Sequence, residues 1–283
     1  MSALSTVPYP ANGHATNGHA ANGHAAAPTP AGLGVFSLEG RVALITGGGS
    51  GIGLAIASCM AEAGATVIIT GRREAVLAEA CTSLGERAHY LVNDICDLAG
   101  LDGLVEEVEN TYGPLDVVVN NAGINLKKPA LEVTDEDFSR IIHTNLNAVF
   151  ALTRAAARRM VARGSGCIIM ISSMAAYYGI DRVVAYAASK SAVEGMVKVL
   201  ASEFSAHGVR VNAIAPGFID TEMSRTAMNS DPDRRDRAMR RTPMGKFGQP
   251  ADIGHAAVFL ASDAARYVTG VSLPVDGGNS IGF

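Results

Sequence analysis

The feature that most constrains this chain is a rhythm that begins at Arg41. Short runs of β-branched and aliphatic residues recur: RVALIT (41–46), TVIIT (66–70), AHYLV (88–92), LDVVVN (115–120), CIIMIS (167–172), VRVNAI (209–214) and VSLPV (271–275). Each is continuously apolar rather than alternating, as a strand covered on both faces requires. Between them lie Ala-rich, helix-length segments, among them 52–63, 97–112, 137–163, 186–206 and 250–261, with Pro250 suited to a first helical turn. Repeated βα units of this kind predict an α/β domain over 37–283. Its core is one seven-stranded parallel sheet with helices on both faces and right-handed crossovers. Ligands of such sheets bind at the carboxyl ends of the strands, near the point where strand order reverses.

Two stretches break the rhythm. Residues 1–36 contain Asn-Gly-His-Ala three times, at 12–15, 17–20 and 22–25, and no Lys or Arg precedes Arg41. Small turn-forming residues bury too little surface to offset chain entropy, so 1–36 reads as a disordered low-complexity tail. Capture of a metal by His14, His19 and His24 is the alternative. The tail has neither an apolar core nor the arginines of a targeting peptide. The second break, 217–249, is long, polar and rich in arginine. Following a strand end, it reads as an active-site lid.

Composition removes several function classes. Net charge is −4 and there is no tryptophan, which argues against nucleic acid as a partner. No apolar run is long enough to span a bilayer. Cys59, Cys81, Cys96 and Cys167 are scattered without a CxxC pair or a nearby His at ligand spacing, so no metal site is expected. They read as reduced thiols of a cytoplasmic protein.

The chemistry sits in three places. TGGGSGIG (46–53) directly follows the first strand and opens a helix. Gly47, Gly51 and Gly53 let the backbone approach a diphosphate, and the helix N-terminus offers free N–H groups and positive potential. Thr46, Gly49, Ser50 and Ile52 complete this candidate cradle; a tight turn that binds nothing is the plain alternative. NNAG (120–123) ends the fourth strand. Tyr186 stands four residues before Lys190, an interval that puts both on one face of a helix.

With Gly-x-x-x-Gly-x-Gly, Asn-Asn-Ala-Gly and Tyr-x-x-x-Lys in this order, residues 37–283 resemble the short-chain dehydrogenase/reductase family. The overall pattern is similar both to 3-oxoacyl-carrier-protein reductases and to sugar or polyol dehydrogenases such as gluconate 5-dehydrogenases. The resemblance implies a Rossmann-type doubly wound fold and a catalytic set of Asn145, Ser173, Tyr186 and Lys190. Tyr186 is the implied general acid and base, and Ser173 the group that holds the substrate oxygen. Asn145 is the implied anchor of a water in a relay through Lys190; Asn147 is chosen against by motif position only. A fixed ammonium beside the phenol is expected to pull the Tyr186 pKa down toward neutrality. Asp94 and Ile95 are the implied adenine contacts, Asn121, Ala122 and Gly123 line the cofactor, and Pro216, Gly217, Ile219 and Thr221 hold its nicotinamide end.

Cofactor choice is read from the end of the second strand. An NAD enzyme usually places a carboxylate there, against the ribose hydroxyls. This chain has Gly71 followed by Arg72 and Arg73, which can pair with a 2′-phosphate or can be surface residues of the next helix. Ser50 stands in the glycine turn where many NADP-using relatives carry a basic residue, and it pulls the other way. The expectation is NADP(H) preferred, with NAD(H) possible. Ile124, Asn125, Met174, Tyr178 and Gly179 are the expected walls of the substrate pocket; Tyr177 and Tyr178 also fit plain packing. Expected partners are a small carbonyl or alcohol substrate and, by resemblance, further copies in a homotetramer. The helix run Arg154, Arg158, Arg159 and Arg163 could receive an acidic acyl carrier protein or could be a solvated face. A nucleotide-sensing or scaffold protein on the same fold is the alternative function.

Overall fold

The computed structural model describes residues 32–222, 224–225 and 231–282. The seven expected runs form seven strands: β1 (Val42–Thr46), β2 (Thr66–Gly71), β3 (Ala88–Val92), β4 (Leu115–Asn120), β5 (Gly166–Ile171), β6 (Val209–Pro216) and β7 (Ser272–Val275). They make one parallel sheet in the order β3-β2-β1-β4-β5-β6-β7. Strand order reverses between β1 and β4, so the glycine turn after β1 and the Asn-Ala-Gly segment after β4 flank one crevice.

The helices are α1 (Gly51–Glu62), α2 (Glu74–Leu84), α3 (Leu101–Tyr112), α4 (Asp135–Ile142), α5 (Ala148–Arg163), α6 (Val184–Phe204), α7 (Pro232–Arg241) and α8 (Pro250–Ala261). Strand residues alternate between two cores. Leu44, Val118, Ile168 and Met170 face Val105 of α3, Leu152 of α5 and Val193 of α6. Ile45, Val119 and Ile169 face Ile56 and Met60 of α1, Leu77 of α2 and Leu260 of α8. Both faces of β1, β4 and β5 are therefore buried, which is why these strands read as unbroken apolar runs.

Three elements differ from expectation. The segment read as one helix over 137–163 is two helices joined by a π-helical turn, His143–Asn147. The long polar stretch 217–249 contains α7, which carries Arg and Asp at most positions and buries Ala238, too little apolar pattern to announce a helix. Its base is closed by a parallel bridge between Ile219 and Gly248. At the other end of the chain, Gly32–Phe36 is a 3₁₀ turn whose Phe36 ring lies 6.5 Å from that of Phe259. The last five positions of the expected tail are thus folded. His14, His19 and His24 lie outside the described residues. Among the described residues no helix is long and apolar enough to cross a membrane, and no His/Cys/Asp/Glu group could hold a metal.

Candidate active site

The glycine turn leaves room for a ligand's backbone-side approach and for nothing else. Gly51 has φ +56°, in the region that favours glycine. A Cβ on Gly53 would stand 2.3 Å from the Gly47 carbonyl oxygen. Ser50 caps α1 in an extended conformation without a side-chain cap bond, so its exposed hydroxyl and the first N–H groups of the helix are available to an anion. Thr221 lies over this turn, its Cγ2 within 3.6 Å of where a Gly51 Cβ would be. Among the described residues, three buried side-chain polar atoms lack a protein partner: Thr70 Oγ1, Asn93 Oδ1 and Ser172 Oγ. They stand at or just beyond the ends of β2, β3 and β5, along the rim where a dinucleotide would lie. The residues present therefore fit such a group.

Two expected cofactor residues act indirectly. Thr46 is buried; its hydroxyl accepts from the Asn121 and Ala122 N–H groups at 3.1 and 3.0 Å and donates to Val119 O at 3.3 Å. The Asn121 amide donates to the carbonyls of Thr46 and Gly47 at 2.9 and 3.2 Å. These side chains lock the β1 and β4 turns together across the crevice rather than facing a ligand. Thr46→Val keeps the shape but takes the hydroxyl acceptor from the part-buried Ala122 N–H, while Asn121 N–H retains Val119 O at 3.0 Å. We expect it to lower stability by about 1–3 kcal/mol, measured by denaturant unfolding; a loss under about 0.5 kcal/mol, no more than an ordinary surface substitution costs, contradicts this role.

The remaining cofactor candidates are placed as follows. Arg72 and Arg73 are exposed at the start of α2, and neither pairs with a carboxylate among the described residues. Asp94 is exposed, with Oδ1 accepting from Cys96 N, and Ile95 is half-buried beside it. Gly217 has no space for a side chain, since a Cβ would meet Asp276 at 2.6 Å. Pro216 ends β6, and the Ile219 side chain is buried in the core on the α1 side, so any ligand contact from Ile219 is through its backbone.

The tetrad converges from three elements. Tyr186 and Lys190 lie on α6, with the Lys190 Nζ 5.6 Å from the Tyr186 ring centre. Lys190 is buried and its Nζ donates to Ile171 O at 2.6 Å. Ser173 follows β5; its hydroxyl accepts from Ala175 N at 3.1 Å and lies close enough to Tyr186 to favour the phenolate, while Ser172 is buried. Asn145 sits in the π turn; its Oδ1 accepts from Ile124 N and its Nδ2 donates to Ile124 O, both at 2.8 Å. A Cβ at Gly123 would stand 3.1 Å from Asn145 Oδ1 and 3.9 Å from Lys190 Nζ, so both groups border the loop after β4 at this glycine. Asn147, the competing asparagine, is exposed. π turns of this kind recur at functional sites because they rotate one side chain out of helical register.

Sequence reasoning missed Ser189. It is fully buried, accepts from Asn145 Nδ2 at 3.3 Å and donates to Tyr186 O at 2.7 Å. It thereby ties the asparagine to the tyrosine's own backbone. The available signal was a polar residue directly before Lys190, on the inward face of α6.

The electrostatics correct one expectation. Burial pushes the Tyr186 phenol above its ordinary value, and the nearby Ser173 hydroxyl offsets this only in part. Burial also lowers Lys190, to about 8. The ammonium faces a carbonyl rather than the phenolic oxygen, so desolvation dominates both groups.

The expected substrate walls divide. Ile124 is half-buried and Asn125 exposed, while Met174 is buried and belongs to the packing. Tyr178 and Gly179 line an open cavity of about 570 Å³ with Tyr177, Arg182 and Ala187. The Tyr178 hydroxyl donates to Asn279 Oδ1.

A doubly wound sheet with a glycine cradle at its switch point, and a serine, tyrosine and lysine at the rim, defines a dinucleotide-binding α/β protein of oxidoreductase type. Comparison with known proteins gives the family. The family model described as enoyl-(acyl carrier protein) reductase matches residues 47–280. The chain is 39% identical over 250 residues to 2-dehydro-3-deoxy-D-gluconate 5-dehydrogenase of Dickeya dadantii (strain 3937), covering 87% of this chain and 98% of that one. It is 38% identical over 242 residues to 3-oxoacyl-(acyl-carrier-protein) reductase of Vibrio harveyi, covering 86% and 98%. The crystal structure of a gluconate 5-dehydrogenase from Burkholderia cenocepacia J2315 in complex with NADP and tartrate superposes with TM-score 0.84 at 38% identity, covering 89% of this chain and 99% of that one. The chain belongs to the short-chain dehydrogenase/reductase family.

Proposed function

We propose that this protein interconverts a ketone and a secondary alcohol on a small sugar acid or polyol, using NADP(H) in preference to NAD(H). The observation that carries the reaction type is Tyr186 on the same helix face as buried Lys190, whose Nζ lies 5.6 Å from the phenol ring, with Ser173 close enough to influence the phenol. When bound, the nicotinamide supplies hydride to the carbonyl carbon. Tyr186, held protonated at neutral pH by burial, gives its proton to the carbonyl oxygen. Ser173 holds that oxygen and stabilises the charge developing on it. Lys190 holds the ribose side of the site, and Asn145 fixes the loop after β4 through Ile124. Oxidation of the alcohol runs the same proton path in reverse. Cytoplasmic location and a homotetramer belong to the same reading.

The α5 arginines favour a small substrate over an acyl carrier protein. Arg158 pairs with Asp102 at 3.4 Å, Arg159 with Glu109 at 3.2 Å and Arg163 with Glu109 at 3.1 Å, all acids of α3. Arg154 lies over the Phe150 ring. These pairings take up most of the charge that an acidic carrier would meet. A cofactor-dependent absorbance assay over hydroxy acids, polyols and 3-oxoacyl thioesters tests the reading. Turnover confined to thioesters overturns the substrate class. Tight nucleotide binding with no turnover on any of them favours the sensing or scaffold alternative.

NADP(H) preference rests on the free guanidinium groups of Arg72 and Arg73 beside Gly71. A charged hydrogen bond is worth about 1.5–3 kcal/mol, or about 10- to 150-fold in affinity. Arg72→Ala is expected to weaken NADP(H) by that factor and leave NAD(H) nearly unchanged, as read from kcat/KM with each cofactor. Equal weakening of both cofactors, or a wild type that prefers NAD(H), contradicts this assignment.

A further inference from the structure

The turn 276–281 after β7 carries one fully buried polar side chain, Asn279. Its Oδ1 accepts from the Tyr178 hydroxyl, five residues beyond Ser173. Its Nδ2 donates to Thr242 Oγ1 at 2.9 Å, and Thr242 in turn donates to Ala238 O within α7. Its backbone carbonyl accepts from Arg241 Nε at 3.1 Å, and the Arg241 guanidinium lies 3.8 Å over the Tyr178 ring. One carboxamide thus joins three segments that are distant in sequence: the loop after β5, the end of α7, and the turn that carries it. The fit is close. Met244 N donates to Gly277 O at 3.1 Å, and Cβ atoms on Gly277 and Gly278 would press on Thr242 and Pro243 at 3.1 and 3.0 Å. The opposite end of α7 is held separately, by Lys127 of the loop after β4 and Asp231 at 2.8 Å. α7 is therefore pinned at each end to a loop that leaves the carboxyl edge of the sheet.

We propose that Asn279 is a positioning residue for the substrate side of the site, fixing α7 against the loop that carries Ser173 and Tyr178. It touches no reacting atom. Without the carboxamide, Tyr178 and Thr242 lose their common partner, and α7 keeps its backbone-carbonyl contacts to the turn but loses its side-chain tie to the loop, so the substrate wall is less preorganised. The expected effect falls on substrate binding rather than on the proton-transfer step or the dinucleotide cradle, which lies at the β1 turn. The kinetic part of this inference rests on the reaction proposed above; the structural part does not.

The test uses the full chain with Tyr178→Phe, Asn279→Leu and the double variant. Tyr178→Phe removes a single hydroxyl from a half-buried side chain and keeps the ring, so it remains informative even where Asn279→Leu folds poorly. Leaving one buried partner unsatisfied costs roughly a factor of ten. Each single variant should raise substrate KM about tenfold while leaving kcat and the NADP(H) dissociation constant within about twofold, and the double should be no worse than the worse single. Amide hydrogen exchange over 238–245 should accelerate about tenfold in each variant without any substrate present. Unchanged exchange in both variants, multiplicative effects in the double, or a fall in kcat at unchanged KM overturns the proposal. Accelerated exchange together with no turnover in the wild type would instead sustain the tie and remove the enzyme reading.

Discussion

Tyr186→Phe is expected to lower turnover about 10²- to 10⁴-fold, the usual worth of a positioned general acid. The substitution keeps the ring and its packing on α6 but removes the proton that, on the proposed reading, passes to the substrate oxygen. On the proposed reading NADP(H) should bind with unchanged affinity, since the glycine turn and Arg72 and Arg73, just before α2, are untouched. The pH dependence has a definite sign. Burial raises the Tyr186 pKa, so the phenol keeps its proton at neutral pH and is ready to donate it. Reduction should therefore be supported at neutral pH and decline as the solution becomes alkaline. Oxidation needs the phenolate and should accelerate over the same range. Both limbs should disappear in Tyr186→Phe. Turnover within a few-fold of wild type, or a pH profile that survives the substitution, removes Tyr186 from the proton path.

Lys190→Met is expected to abolish most turnover and yet to stabilise the folded protein at pH 7. Burial lowers Lys190 from 10.5 to about 8, so at pH 7 the folded chain holds an ammonium that it binds less well than the unfolded chain does. By linkage this shift disfavours folding by about 3 kcal/mol at pH 7. Between pH 8 and 10.5 the unfolded state binds more protons than the folded state, so the wild type gains stability as pH rises through that window. The Met side chain has no such penalty, but it leaves the Ile171 carbonyl without its donor, which returns about 1 kcal/mol. A net gain of about 2 kcal/mol at pH 7, shrinking toward pH 10, is the expected result in denaturant titrations. A variant that is less stable at pH 7, with the same slope against pH as wild type, contradicts a destabilised ammonium. On the proposed reading, that cost in stability accompanies a charge that the site uses.

The seven strands, their parallel sense and the cofactor crevice were legible in the sequence because burial on both faces leaves a contiguous apolar record. The glycine turn was legible for a related reason. Its requirement for absent side chains at Gly47, Gly51 and Gly53 is local. Tyr186 and Lys190 were legible because four residues is a helical interval, and a helix keeps both groups on one face whatever surrounds it. What only the tertiary structure decided depends on partners far away in the chain. Asn145 is distinguished from Asn147 by a π turn and by Ile124, 21 residues before it. Thr46 and Asn121 look like ligand contacts in the motif, yet they engage each other's turns across the crevice. The arginines of α5 look like a docking face until α3 is packed beside them. α7 carries too few apolar residues to be read as a helix and is held by Lys127 and Asn279 at its two ends. The Tyr186 shift runs opposite to the sequence expectation for the same reason. Spacing gives the nearness of an ammonium, but only the packed fold sets how much water both groups lose, and here that loss outweighs the charge.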